Sequence, residues 1–286
     1  MTTRREFLFR SALFATGCAA AALPLEANPL GLPIGCQTWP VRRRIAADFP
    51  GTLRLLAQAG FQDIELCSPV GYADNGFGGL ARYKPAQLRR IIAEAGLRCF
   101  SSHFTIQELR AQQPARLDWA RELGLTQMLV PSLDGPRHPT LEDVKRAAGE
   151  YNQIAERAAR AGIQQGLHNE NFEDAFVGQR RVYDLLFQYL DPKLVKFQYQ
   201  ISALQFGMRP LTYLTRYPGR FISLHLQGWS AKTRRIVPLG QSHPPKDSLD
   251  WPRIFHAARR AGVRNYFLEM SLPMMEASLP YLRRLT

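Results

Sequence analysis

Two hydrophobic rhythms alternate along the chain. Short apolar runs at residues 34–38, 63–67, 98–103, 127–131, 164–168, 195–199, 221–226 and 265–269 read as strands. Several lack the polar alternation of a half-solvated strand, as expected of parallel strands covered on both faces. Amphipathic stretches separate them. The clearest places Val144, Ala147, Ala148, Tyr151, Ile154, Ala155 and Ala158 on one helical face. Thr140 stands at its start as an N-cap, with Asp143 in the N3 position of a capping-box-like pattern. Gly60, Gly96, Gly124, Gly162 and Gly262 each end a helical stretch before an apolar residue that leads into a strand, the pattern of a left-handed C′ glycine. Eight strands alternating with about eight helices predict a single-domain (β/α)8 TIM barrel over residues 28–286. The long non-helical stretches 68–84 and 227–249 follow strands two and seven, on the face where such barrels carry their sites.

Composition fits this picture. The 286 residues are 45% hydrophobic and 21% charged, as in a soluble globular protein with a large core. The formal charge of +13 raises the possibility of a polyanionic partner. The basic residues, however, are scattered as pairs along predicted helices, such as Arg89-Arg90 and Arg259-Arg260, which reads as a solvated exterior with no nucleic-acid partner. Cys36, Cys67 and Cys99 fall in predicted strands without metal-type spacing and read as buried free thiols. The stretch Thr3-Arg4-Arg5-Glu6-Phe7-Leu8 resembles the twin-arginine export motif, and a weakly apolar run containing Cys18 follows it. Residues 1–27 are therefore expected to be an export signal. This predicts a periplasmic or extracytoplasmic protein with no stable membrane span after cleavage.

The strand ends carry the candidate chemistry. Gln37, Trp39 and Arg42 lie at the end of strand one or just after it, Glu65 near the end of strand two, and His103 at the end of strand three. His168, Glu170 and Glu173 fall in Leu167-His168-Asn169-Glu170-Asn171-Phe172-Glu173-Asp174, at the end of strand five. Gln200 ends strand six, His225 lies near the end of strand seven with Gln227 and Trp229 after it, and Glu269 ends strand eight. Carboxylates and imidazoles that end apolar runs are costly unless paired, hydrogen-bonded or metal-bound, so their convergence on one barrel mouth predicts an active or binding site.

The segments 34–38, 60–66, 101–103, 168–173, 219–226, 237–240 and 267–269 resemble, in order, the xylose isomerase-like TIM barrels, specifically the sugar phosphate isomerase/epimerase family. The resemblance spans about Leu32 to Leu285. It implies one divalent metal ion (Mn2+, Mg2+ or Zn2+) held by His168, Gln200, His225 and Glu269. Glu173 matches the acidic residue that closes the family's pattern and His103 its substrate-facing histidine; with Glu170 and Glu269 they are expected to be catalytic, and from their places at or after the strand ends Gln37, Trp39, Arg42, Glu65, Gln227 and Trp229 are expected to contact substrate. Three positions depart from the family pattern: Glu170 replaces a histidine, Gln200 replaces an aspartate, and Gln227-Gly228 replaces Lys-Asp. Gln200 removes a negative charge from a cation site, because its amide oxygen is a neutral ligand. The expected activity is a sugar isomerase or epimerase acting by proton abstraction beside a carbonyl on a free or oxidised sugar. The alternatives are a metal-free, non-catalytic carbohydrate-binding barrel and a lyase or dehydratase acting on keto-sugars.

Overall fold

The computed structural model of the protein describes residues 28–241 and 249–285. The expected export signal, with Cys18, lies outside the described residues. Eight parallel strands close a barrel: β1 (Gly35–Gln37), β2 (Asp63–Cys67), β3 (Arg98–His103), β4 (Gln127–Val130), β5 (Gln164–Leu167), β6 (Val195–Gln200), β7 (Phe221–Leu226) and β8 (Asn265–Leu268). They pair in chain order, and β8 returns to β1. The five glycines at the helix exits have φ between 76° and 105°, so left-handed caps turn the chain from helix to strand. The helix Leu141–Arg160 buries the seven apolar residues of its predicted face, and Thr140 and Asp143 form the capping box.

β5 and β8 end one residue earlier than the pattern predicts. His168 and Glu269 therefore open loops, although the His168 N–H still donates to Val130 O at 2.8 Å. Stretch 68–84 contains two 3-10 turns, Ala73–Asn75 and Gly78–Arg82. After β7 the chain makes a hairpin of Gly228–Ser230 with Arg235–Val237. Among the described residues, no helix is long and apolar enough to cross a membrane.

Alternation along β6 positions the site. Phe197 and Tyr199 turn outward into aromatic packing, with the Phe197 and Phe187 rings 4.0 Å apart, while Gln198 and Gln200 turn inward. Two irregularities interrupt the ladder. Ile64 pairs with Cys99 but Glu65 with Ser101, so Phe100 is an extra residue in β3. Phe197 pairs with Phe221 but Gln198 with Ser223, so Ile222 is an extra residue in β7. Such bulges re-aim side chains next to functional sites. Here they set Ser101 opposite Glu65 and Ser223 opposite Gln198. The upper interior of the barrel consequently holds a polar tier where branched apolar side chains are the norm.

Candidate active site

Glu65 is the centre of that tier and is fully buried. Its Oε1 accepts from Ser101 Oγ at 2.6 Å and Gln198 Nε2 at 2.9 Å. Its Oε2 accepts from Gln37 Nε2 at 2.9 Å and His225 Nε2 at 2.6 Å, and lies 3.2 Å from His103 Nε2. Burial alone would raise its pKa, but the His103 and His225 imidazoles outweigh that and hold it well below the usual carboxylate range.

His225 is gripped on both sides, since its Nδ1 lies 3.2 Å from Glu269 Oε2. Against the downward push of burial, the Glu269 and Glu65 carboxylates lift its pKa to about 10. For Glu269, burial pushes upward, but His225 overrides it and brings the carboxyl to about 2. Glu269 Oε2 also accepts from Gln200 Nε2 at 2.6 Å, and its backbone carbonyl from Gln227 Nε2 at 2.6 Å. His103 is desolvated too, yet Glu65 raises its pKa above the ordinary value; its Nε2 also donates to Gln198 Oε1 at 2.8 Å. His168 is shifted the other way, chiefly by burial.

Above this tier opens a cavity of about 170 Å³, lined by Gln37, Trp39, Cys67, Tyr72, His103, Pro131, Glu170 and Glu269. The Glu170 side chain is 44% exposed, 3.5 Å from His168 Nε2. Despite the opposing effect of partial burial, His168 holds its carboxyl below the ordinary value.

The other residues named from the sequence sit around this mouth in different ways. Glu65 lies beneath it with no exposed surface. The Arg42 guanidinium lies 4.3 Å above the Trp39 ring and donates to Trp39 O, so it braces a wall and does not line the cavity. Trp229 is half-buried in the hairpin, away from the cavity lining, and Gln227 Nε2 donates to the Glu269 backbone carbonyl at 2.6 Å and more weakly to its Oε2 at 3.5 Å. Glu173 is sealed from the mouth: it is fully buried, and its Oε1 accepts from Leu133 N–H at 2.9 Å. In this arrangement Glu173 does not line the cavity. Ser101, Gln198 and Ser223 were not singled out from the sequence. Counting back two residues from His103, Gln200 and His225 finds all three.

The donor set fits a cation. Both His168 ring nitrogens and Gln200 Oε1 are buried without a hydrogen-bond partner. Ligand nitrogens of His103, His168 and His225 lie within 4.8 Å of one another.

Burial pushes the Glu173 carboxyl well above its ordinary range, and the Leu133 N–H offsets this only in part. The folded state therefore keeps a proton that the unfolded chain releases above pH of about 4.3. Stability falls as pH rises from there, by up to about 1.4 kcal/mol per pH unit, until the folded-state pKa is reached. Glu173→Gln keeps an acceptor for Leu133 and removes the titration. Urea unfolding is expected to show the variant matching wild type near pH 4 and exceeding it at pH 7.5; parallel pH profiles would contradict this.

A closed parallel barrel with acid–base groups gathered at the carboxyl ends of its strands belongs to the class of barrels that work at that mouth. The chain belongs to the xylose isomerase-like TIM barrel family, whose model matches residues 53–284. It is similar to a sugar phosphate isomerase/epimerase from Parabacteroides distasonis, with 26% identity and a TM-score of 0.73 over 88% of this chain and 93% of that one. Two more distant structures share the fold. An L-ribulose 3-epimerase is 16% identical, with a TM-score of 0.60 over 88% of this chain and 86% of that one. A xylose isomerase-like TIM barrel protein from Mycobacterium smegmatis, solved in complex with magnesium, is 14% identical, with a TM-score of 0.64 over 90% and 97%. No curated protein matches the chain.

Proposed function

We propose that this mouth abstracts a proton from the carbon beside a carbonyl on a free or oxidised sugar, and so interconverts isomers or epimers. One observation carries the reading: ionised Glu170 and Glu269 and proton-bearing His103 line a single cavity. Glu170 is the base, being ionised and open to the cavity. His103, fixed from below by Glu65 and Gln198, presents its opposite edge to the carbonyl oxygen and steadies the negative charge that develops there. Trp39 and Tyr72 offer apolar faces to the ring. A cavity of about 170 Å³ is small beside ligand pockets of about 300–1,000 Å³, which suits a monosaccharide. A divalent ion, with His168, Gln200, His225 and Glu269 as its expected ligands, would polarise the carbonyl and acidify the neighbouring C–H.

The test is loss of carbon-bound proton signals in D2O across a panel of aldoses, ketoses and keto-sugars. Exchange without release of a substituent identifies an isomerase or epimerase, and exchange with elimination a lyase. No exchange with any sugar sinks the proposal. A second reading, a carbohydrate-binding barrel without metal, is favoured by the Gln200 amide held on Glu269. Under that reading the same panel binds and does not exchange.

Export through Arg4-Arg5 belongs to the same proposal and is supported by the motif alone. Replacing both arginines with lysine is expected to retain the protein in the cytoplasm; unchanged secretion would remove export by this route.

A further inference from the structure

We infer that Glu108 is a positioning residue for this mouth: its carboxylate clips the segment after β2, which carries Tyr72, to the chain just beyond His103, and so sets the wall against which a sugar ring fits. This deepens the carbohydrate reading of the mouth and rests on it. Glu108 begins as an ordinary helix signal. Thr105 is the N-cap of the helix Ile106–Leu123 and Glu108 stands at N3, so each side chain accepts from the other's backbone N–H in a capping box. Thr140 and Asp143 make the same box at the surface, where the carboxylate reaches only Thr140 and Arg146, in or beside its own helix. Glu108 is buried instead, and its second oxygen leaves the helix: Oε2 accepts from Ser68 Oγ at 2.7 Å, 40 positions back along the chain.

Ser68 is the first residue after β2 and the root of the cavity wall. Its N–H donates to His103 O at 2.8 Å, and its carbonyl accepts from Tyr72 N–H at 3.1 Å. Tyr72 and His103 both line the cavity. The Tyr72 ring meets Trp39 edge-on at 5.9 Å and Phe77 edge-on at 6.2 Å, so the segment carries the aromatic wall as a unit. Gly71 closes the clip. A Cβ there would overlap Glu108 Oε1 and stand 2.9 Å from Thr105 Oγ1, and the Gly71 backbone lies outside the left-handed region, so the carboxylate and its cap are what exclude a side chain. One carboxylate outside the Glu65 net thus fixes the ring-facing wall relative to His103. Such a wall touches substrate and transition state alike, so loosening it raises KM and spares kcat.

The experiment is amide hydrogen exchange of the full chain, read peptide by peptide, beside kinetics on the sugar of the D2O panel that exchanges fastest. In Glu108→Ala the amides of residues 68–77 are expected to exchange at least about tenfold faster while β5 to β7 keep wild-type rates. KM is expected to rise about tenfold with kcat within about twofold. Gly71→Ala is expected to do the same with the carboxylate still in the chain. Glu108→Gln still accepts from Thr105 N–H and meets the Ser68 hydroxyl with its amide, and is expected to restore both readouts. Thr105→Ala removes the helix cap and spares the clip, so it is expected to lower Tm and leave residues 68–77 and KM unchanged. Wild-type exchange over 68–77 in Glu108→Ala, a fall in kcat at constant KM, or equal loosening by Thr105→Ala would overturn the assignment. If Glu108→Ala fails to fold, Gly71→Ala decides. If no sugar of the panel exchanges, the sugar reading falls alone, and the amide exchange of residues 68–77 still decides the clip.

Discussion

Replacing Glu65 with alanine is expected to destabilise the fold by about 3–5 kcal/mol, the cost of leaving a buried charge without its partner. His103 and His225 stack with ring centroids 5.3 Å apart, and both have raised pKa values because the Glu65 carboxylate lies against each. Without it, the two rings repel and at least one must shed its proton in a dry interior. Ser101, Gln37 and Gln198 lose an acceptor at the same time. Glu65→Gln restores an acceptor without the charge and is expected to fall between alanine and wild type. Urea unfolding at neutral pH measures the loss, and histidine NMR titration should show both imidazole pKa values falling. A loss below about 1 kcal/mol would mean that the tier is held by its amides and hydroxyls.

Glu170→Gln is expected to slow carbon-proton exchange by about 10²–10⁴-fold while changing stability by less than about 0.5 kcal/mol. The substitution keeps shape and hydrogen-bonding capacity, and the side chain stands partly exposed at the cavity wall. What it removes is the ionised carboxylate that receives the proton. Exchange rates in D2O beside melting curves separate the two effects. More than a tenth of the wild-type rate in this variant would move the base to Glu269, the other carboxylate lining the cavity. Glu173→Gln, three residues away and sealed from the mouth, is expected to leave exchange nearly intact.

Much of this arrangement is legible in the chain. Apolar runs and glycine exits define the barrel, because left-handed caps and doubly covered strands leave strong local signatures. His103, His168, His225 and Glu269 follow from their places at the strand ends. What the chain hides is depth. Glu65 and Glu170 read alike as acidic residues near strand ends, yet one lies under the mouth and the other on its wall. Glu173 shares a hexapeptide with His168 and Glu170, but a 3-10 turn, Asn171–Asp174, swings it inward to Leu133. The pairing of Ser101 with Glu65 depends on the extra residue Phe100, and a bulge leaves no mark in a two-residue period.

The net centred on Glu65 also limits how such a protein can diversify. Glu65 and Gln198 are each held by several other side chains, so a new preference cannot arise at them one substitution at a time without weakening the whole molecule. The wall residues outside that net carry no such constraint. Trp39, Tyr72 and the long segment after β2 are the interchangeable part, through which a lineage meets a different sugar over an unaltered floor.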